Sequence, residues 1–179
     1  MTPKRVLVAF SSRSGSTAGA AEAIADVLRS SGFAVDCRFK EEVADVTAYR
    51  AVVLGSGMFV ASRSSDGGGF LERHVAALRG REVWLFSTGP IGGRPGRAGA
   101  DGVCDECAVV TVGRAIGARG VAMFGTIGMP PGADPVASLL PADQHEIRTW
   151  AAEIAAQLGG PAAPPVHRRH RCHGVAAAG

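Results

Sequence analysis

The chain has 179 residues with a hydrophobic share of 46%, enough to bury one core without disulfide or metal staples. Aromatics supply only 6%, so the apolar content is mostly small side chains, suited to helices packed closely on a sheet. The formal charge is +3, but Arg168, Arg169 and Arg171 sit in a terminal stretch without acidic residues, so residues 1–160 carry no net charge, and the basic folded face of a nucleic-acid binder is missing. No apolar run approaches the 18 or so residues of a membrane span. The short run after Met1-Thr2-Pro3-Lys4-Arg5 lacks the h-region and cleavage site of a signal peptide, so a cytoplasmic protein is expected. Four cysteines, Cys37, Cys104, Cys107 and Cys172, make no disulfide framework.

Arg5 to Phe10 is a nearly continuous apolar run and predicts a buried strand. The polar segment Ser11–Thr17 follows. Ala20, Ala21, Ile24, Ala25, Val27 and Leu28 then recur with helical period, and Ser30-Ser31-Gly32 ends that helix. Phe33, Val35, Cys37 and Phe39 alternate as in a second strand. Glu41 to Arg50 reads as an irregular connection with one helical turn. Ala51 to Gly55 predicts a third buried strand, followed by the Gly/Ser-rich loop Ser56–Gly69. Phe70 to Arg79 is helical, and Glu82 to Ser87 a fourth strand. Thr88 to Cys104 is a Gly-rich loop, Cys107 to Ala118 a helix, and Gly120 to Ile127 a fifth strand. After the loop Gly128–Pro141, the last helix covers Ala142 to Leu158. Residues 1–159 thus form one domain, and residues 160–179, rich in Pro, Ala and basic residues, form a disordered tail.

Strands alternating with helices predict an α/β protein with a doubly wound, five-stranded parallel sheet and right-handed crossovers. Ligands of such sheets lie beyond the carboxyl ends of the strands. Three segments qualify, 11–17, 56–70 and 88–104, all rich in Gly or Ser. The first suits a phosphate. Hydroxyls of Ser12, Ser14, Ser16 and Thr17 can donate to its oxygens, Gly15 lets the backbone come close, and the helix start adds its dipole. No lysine follows Gly15, and neither GxxxxGK[ST] nor GxGxxG occurs, which excludes a nucleoside-triphosphate loop and a dinucleotide fingerprint. Hydroxyls alone suit a phosphate monoester that is held and never transferred, as in a cofactor.

Ser12-Arg13-Ser14-Gly15-Ser16-Thr17 resembles the FMN phosphate loop of the flavodoxin family, S/T-x-S/T-G-x-T. The resemblance runs over about residues 4–158 and takes in Gly55-Ser56-Gly57-Met58-Phe59 and Ser87-Thr88-Gly89-Pro90-Ile91-Gly92. Within the family the chain is most similar to the menaquinone-dependent protoporphyrinogen oxidase group, through Glu146-Ile147-Arg148-Thr149-Trp150 in the last helix. The resemblance implies strand order 2-1-3-4-5 and FMN as cofactor. It implies that Ser12, Arg13, Ser14, Gly15, Ser16 and Thr17 form the phosphate loop. Gly57, Met58 and Phe59 would lie against the flavin ring, and Thr88, Gly89 and Gly92 would cover its other edge through backbone groups.

The implied function is an FMN-dependent oxidoreductase, with a quinone and a porphyrinogen as candidate partners and no identifiable side-chain acid or base. The alternative is an electron-transfer flavodoxin serving a redox partner. A body without net charge speaks for the enzyme, because carriers are steered by acidic surfaces. Electron carriers of this type usually flank the flavin with Trp or Tyr. Here Trp84 and Trp150 are expected in the core, and Phe59 is the aromatic best placed to stack. A receiver-type sheet is excluded, because Phe10-Ser11-Ser12 and Gly55-Ser56 stand where its acids belong. An NAD(P)H-dependent flavin reductase would need a G-S-x-R-x-x-S first loop, which the sequence lacks. Arg63, Arg94 and Arg97 could pair with carboxylates of an anionic substrate. Cys104-Asp105-Glu106-Cys107 is a lone CxxC, and His167, His170, Cys172 and His173 cluster in the tail, without the spacing of a complete metal site. His74 and His145 are expected on the surface.

Overall fold

A computed structural model describes residues 4–11, 15–56, 67–90, 105–126 and 141–159. Five strands, β1 (Arg5–Ser11), β2 (Ala34–Phe39), β3 (Ala51–Ser56), β4 (Glu82–Pro90) and β5 (Gly120–Thr126), form one sheet. Four helices, α1 (Ser16–Ser30), α2 (Gly67–Arg79), α3 (Asp105–Ile116) and α4 (Pro141–Gly159), cover it. The spatial order is β2-β1-β3-β4-β5, as the family resemblance implies, and every pair is parallel, as the alternation of strands and helices predicts. The irregular connection after β2 opens with a short 3-10 turn at Lys40–Glu42.

The sheet is buried on both faces, which is why its central strands read as continuous apolar runs. Val6, Val8 and Phe10 of β1, Ala51 and Val53 of β3, Trp84 and Phe86 of β4, and Ala122 and Phe124 of β5 face α1 and α4. Leu7, Ala9, Val52, Leu54, Val83 and Leu85 face the opposite way, toward Phe70 and Leu78 of α2 and Val109 and Ile116 of α3. The alanines of α1 let that helix lie close to the sheet and to α4, whose Ile147, Trp150, Ala151, Ile154 and Leu158 fill the space between. Lys4 donates from Nζ to the Leu158 carbonyl at 3.1 Å, satisfying one of the last carbonyls of α4.

Aromatics gather on the α1/α4 face near the carboxyl end of the sheet. Phe86, Phe124 and Trp150 have ring centroids 5.8–6.3 Å apart. Phe86 leans over Gly55 of the neighbouring strand, where an added Cβ would lie 2.2 Å from Phe86 Cζ. Gly55 is therefore a requirement of packing. Trp84 and Trp150 are both buried, as expected. His74 is not on the surface. It lies on the inner stripe of α2 between Phe70 and Leu78, 8% exposed, with its ring 4.6 Å from that of Phe70. Its neighbours at four-residue spacing are both core residues, so helical period carries it inward. His145 is exposed.

The structure also corrects the end of β4. The sequence pattern predicts a strand end at Ser87, with a Gly-rich loop from Thr88. The strand continues to Pro90, with Thr88, Gly89 and Pro90 in register with Phe124, Gly125 and Thr126 of β5. Pairing with β5 outweighs local propensity here. The tail expected over 160–179 lies outside the described residues.

Candidate functional site

The carboxyl end of the sheet is built from hydroxyls. Ser11 and Ser56, at the ends of β1 and β3, and Ser87, three residues before the end of β4, stand in one cross-strand row, and all three are buried. Strand alternation places them on the α2/α3 face, continuing Ala9, Leu54 and Leu85. One residue further along β4, alternation turns Thr88 to the α1/α4 face. There its Oγ1 lies 2.7 Å from Thr17 Oγ1 in the first turn of α1. Both threonines are buried, Thr17 completely.

α1 begins where β1 has just ended. Gly15 precedes it with φ 80° and ψ −30°, a left-handed conformation that costs a side-chain-bearing residue but not glycine. The first turn of α1 holds no acidic residue. The positive end of the helix dipole and two hydroxyl residues, Ser16 and Thr17, thus meet at the sheet edge with no carboxylate in that turn to repel an anion. This donor set of hydroxyls and a glycine-led helix start fits a phosphate monoester.

Of the residues expected to bind the cofactor, the structure brings together Thr17 and Thr88, with Gly15 and Ser16 beside Thr17 and Gly89 beside Thr88. Ser12, Arg13, Ser14, Gly57, Met58, Phe59 and Gly92 lie outside the described residues, as do Arg63, Arg94, Arg97 and Cys104. Cys107 falls within α3. Sequence reasoning did not single out the serine row. Its signal was present as Phe10-Ser11, Gly55-Ser56 and Phe86-Ser87, a hydroxyl closing each of three apolar runs.

Groups with displaced pKa values lie away from this edge. Burial, with Glu22 nearby, pushes the Cys37 thiol up to about 12, so it stays protonated and inert. Asp36 is held below the usual carboxylate range, first by the hydrogen bond from Tyr49 and then by Arg5. Among the described residues, no cluster of His, Cys, Asp and Glu could hold a metal ion. No helix among them is long and apolar enough to cross a membrane.

A parallel five-stranded sheet in the order 2-1-3-4-5, with hydroxyls at the carboxyl ends of its central strands, defines an α/β protein of the flavodoxin-like fold. A flavodoxin from the domain Archaea covers 87% of this chain and 99% of its own, with a TM-score of 0.60 and 18% identity. The Streptococcus pneumoniae TIGR4 flavodoxin covers 86% and 99%, with a TM-score of 0.57 and 17% identity. The two-electron reduced flavodoxin of Megasphaera elsdenii covers 83% and 98%, with a TM-score of 0.57 and 18% identity. No curated protein matches the chain. The flavodoxin domain family matches residues 7–103, and the chain belongs to that family. It is a flavoprotein with FMN as its cofactor and electron transfer as its general function.

Proposed function

We propose that the carboxyl edge of the sheet holds FMN with its phosphate at the start of α1, and that the chain exchanges electrons with a redox partner through it. The observation that supports this most directly is the joining of Thr17 and Thr88 at that edge, beside Gly15 in its left-handed conformation. Ser12, Ser14, Gly15, Ser16 and Thr17, with Arg13 in their loop, take the phosphate. Gly57, Met58 and Phe59 lie against the flavin ring, and Thr88, Gly89 and Gly92 cover its other edge through backbone groups. FMN supplies the one- and two-electron chemistry, and the protein's part is to hold it, exclude water and set its potential. No side chain is assigned to acid–base work.

A finer reading gives the protein a small-molecule substrate of its own, a porphyrinogen oxidised at the expense of a quinone. The zero net charge of residues 1–160 supports it, because an electron carrier relies on acidic steering. The segment Glu146-Ile147-Arg148-Thr149-Trp150 lends it no catalytic group. Ile147 and Trp150 are buried in the α1/α4 core, while Glu146, Arg148 and Thr149 are exposed.

The test is the absorption spectrum of the protein before and after addition of FMN. Bands shifted from those of free FMN are expected, and Ser14→Ala combined with Thr17→Ala should weaken binding at least about tenfold, from loss of two hydrogen bonds to a charged group. A spectrum identical to that of free FMN at saturating protein overturns the reading. Turnover with a menaquinone and a porphyrinogen then separates the enzyme from the carrier.

A further inference from the structure

We propose that Thr88 is a positioning residue for the phosphate end of the site, acting through Thr17. The inference rests on FMN binding as proposed above and assigns a role to the Thr88 side chain, where family resemblance assigned only its backbone. Thr17 Oγ1 and Thr88 Oγ1 are 2.7 Å apart, buried, and separated by 71 residues of chain. A hydroxyl carries one hydrogen and two acceptor sites. The pair therefore holds two hydrogens, and only one lies between the two oxygens.

A phosphate dianion accepts hydrogen bonds and donates none. For Thr17 to serve it, the Thr17 hydrogen must point to the phosphate, so Thr17 must accept from Thr88. The donor order is then Thr88 to Thr17 to phosphate oxygen. Each bond in such a chain polarises the next, and more strongly where water is excluded. Thr88 also fixes the Thr17 rotamer, because it sits in β4, held in register against β5 by the Thr88–Phe124 pairing. The sheet thereby orients a hydroxyl on the helix, and Thr88 gains a function without touching the cofactor phosphate.

Dissociation constants for FMN and for riboflavin, which lacks the phosphate, test this in the full-length chain by flavin fluorescence. Thr88→Val keeps the shape and removes the hydroxyl. It is expected to weaken FMN about three- to tenfold, the scale of one hydrogen bond between neutral groups, while riboflavin changes less than about twofold. Thr88→Ser keeps the hydroxyl and should restore FMN affinity to within about twofold of the wild type. If Thr88→Val does not fold, Thr88→Cys, with its weak S–H donor, should show the same selective loss of FMN affinity at smaller size. Equal weakening of FMN and riboflavin would mean a merely structural role and overturns the proposal. So does FMN affinity unchanged in the variants. Failure of the wild type to bind FMN sinks the cofactor reading as well, so the two failures are distinguishable.

Discussion

The two ends of the sheet solve opposite problems. The carboxyl end carries serines and threonines, with glycines where the backbone must come close. The amino end carries paired charges. Arg5 bonds Asp36 at 2.8 Å, Tyr49 donates to the same carboxylate at 2.7 Å, and the Arg5 guanidinium lies 4.8 Å from the centre of the Tyr49 ring. Glu82, at the start of β4, pairs with Arg50 at 3.1 Å and Arg119 at 3.4 Å, tying together the starts of β3, β4 and β5. Arg81 donates to the carbonyls of Val46, Thr47 and Ala77, fastening the β2–β3 connection to the end of α2. Charge is placed where protein partners neutralise it. The carboxyl end, where we propose the ligand, offers an anion hydroxyls and a helix start, which demand no permanent counter-charge.

The largest expected effect lies at the carboxyl end. Gly55→Ala places a methyl group 2.2 Å from the Phe86 ring, which is enclosed by Phe124 and Trp150. Urea unfolding should show a loss of about 3 kcal/mol, the upper range for overpacking. The double variant with Phe86→Leu should recover part of it, because the two positions share one volume. Full additivity in that cycle would break the account of the edge as set by aromatic packing.

At the amino end, Arg81→Ala removes three hydrogen bonds to carbonyls of two segments. A loss of about 1–2 kcal/mol is expected by the same method, since the carbonyls regain water only in part. An effect under about 0.3 kcal/mol would show that water replaces the guanidinium, and that the charged end is ornament to the fold.

The smallest effect is one of pH. Asp36 has its pKa lowered in the folded state, with the Tyr49 hydroxyl as the first cause. A lowered folded pKa stabilises above the unfolded value of about 3.8 and is lost as pH falls through the folded value. Tyr49 has its pKa raised, chiefly by burial and then by Asp36, so its contribution is present below pH 10 and lost above. The stability difference between wild type and Tyr49→Phe should therefore be flat from pH 5 to 9 and shrink toward pH 3. A difference that is the same at pH 3 and pH 7 would show that Tyr49 acts by packing alone.

Which features were legible beforehand follows from the range of the interactions that make them. The strands β1, β3 and β5 are apolar runs bounded by polar or Gly-containing segments, and α1 shows its stripe of alanines with Ile24 and Leu28, so local pattern was enough. The hydroxyls proposed for the phosphate, Ser16 and Thr17, were legible because they follow Gly15 directly in the chain. The extension of β4 through Thr88 was not, because it depends on pairing with β5, some 36 residues later. Nor was the burial of His74, whose polar ring gave no sign that Phe70 and Leu78 would carry it inward.

Local pattern sufficed for the alternation of strands and helices, for excluding a nucleoside-triphosphate loop and for the hydroxyl character of the first loop. Packing of distant segments is what joins Thr17 to Thr88 by a hydrogen bond, lines up Ser11, Ser56 and Ser87 in one row, and gives the space beside Gly55 to Phe86. Each of these joins residues at least 31 positions apart. Their meeting depends on strand order and register, which follow from the best burial of the whole chain and from no single segment.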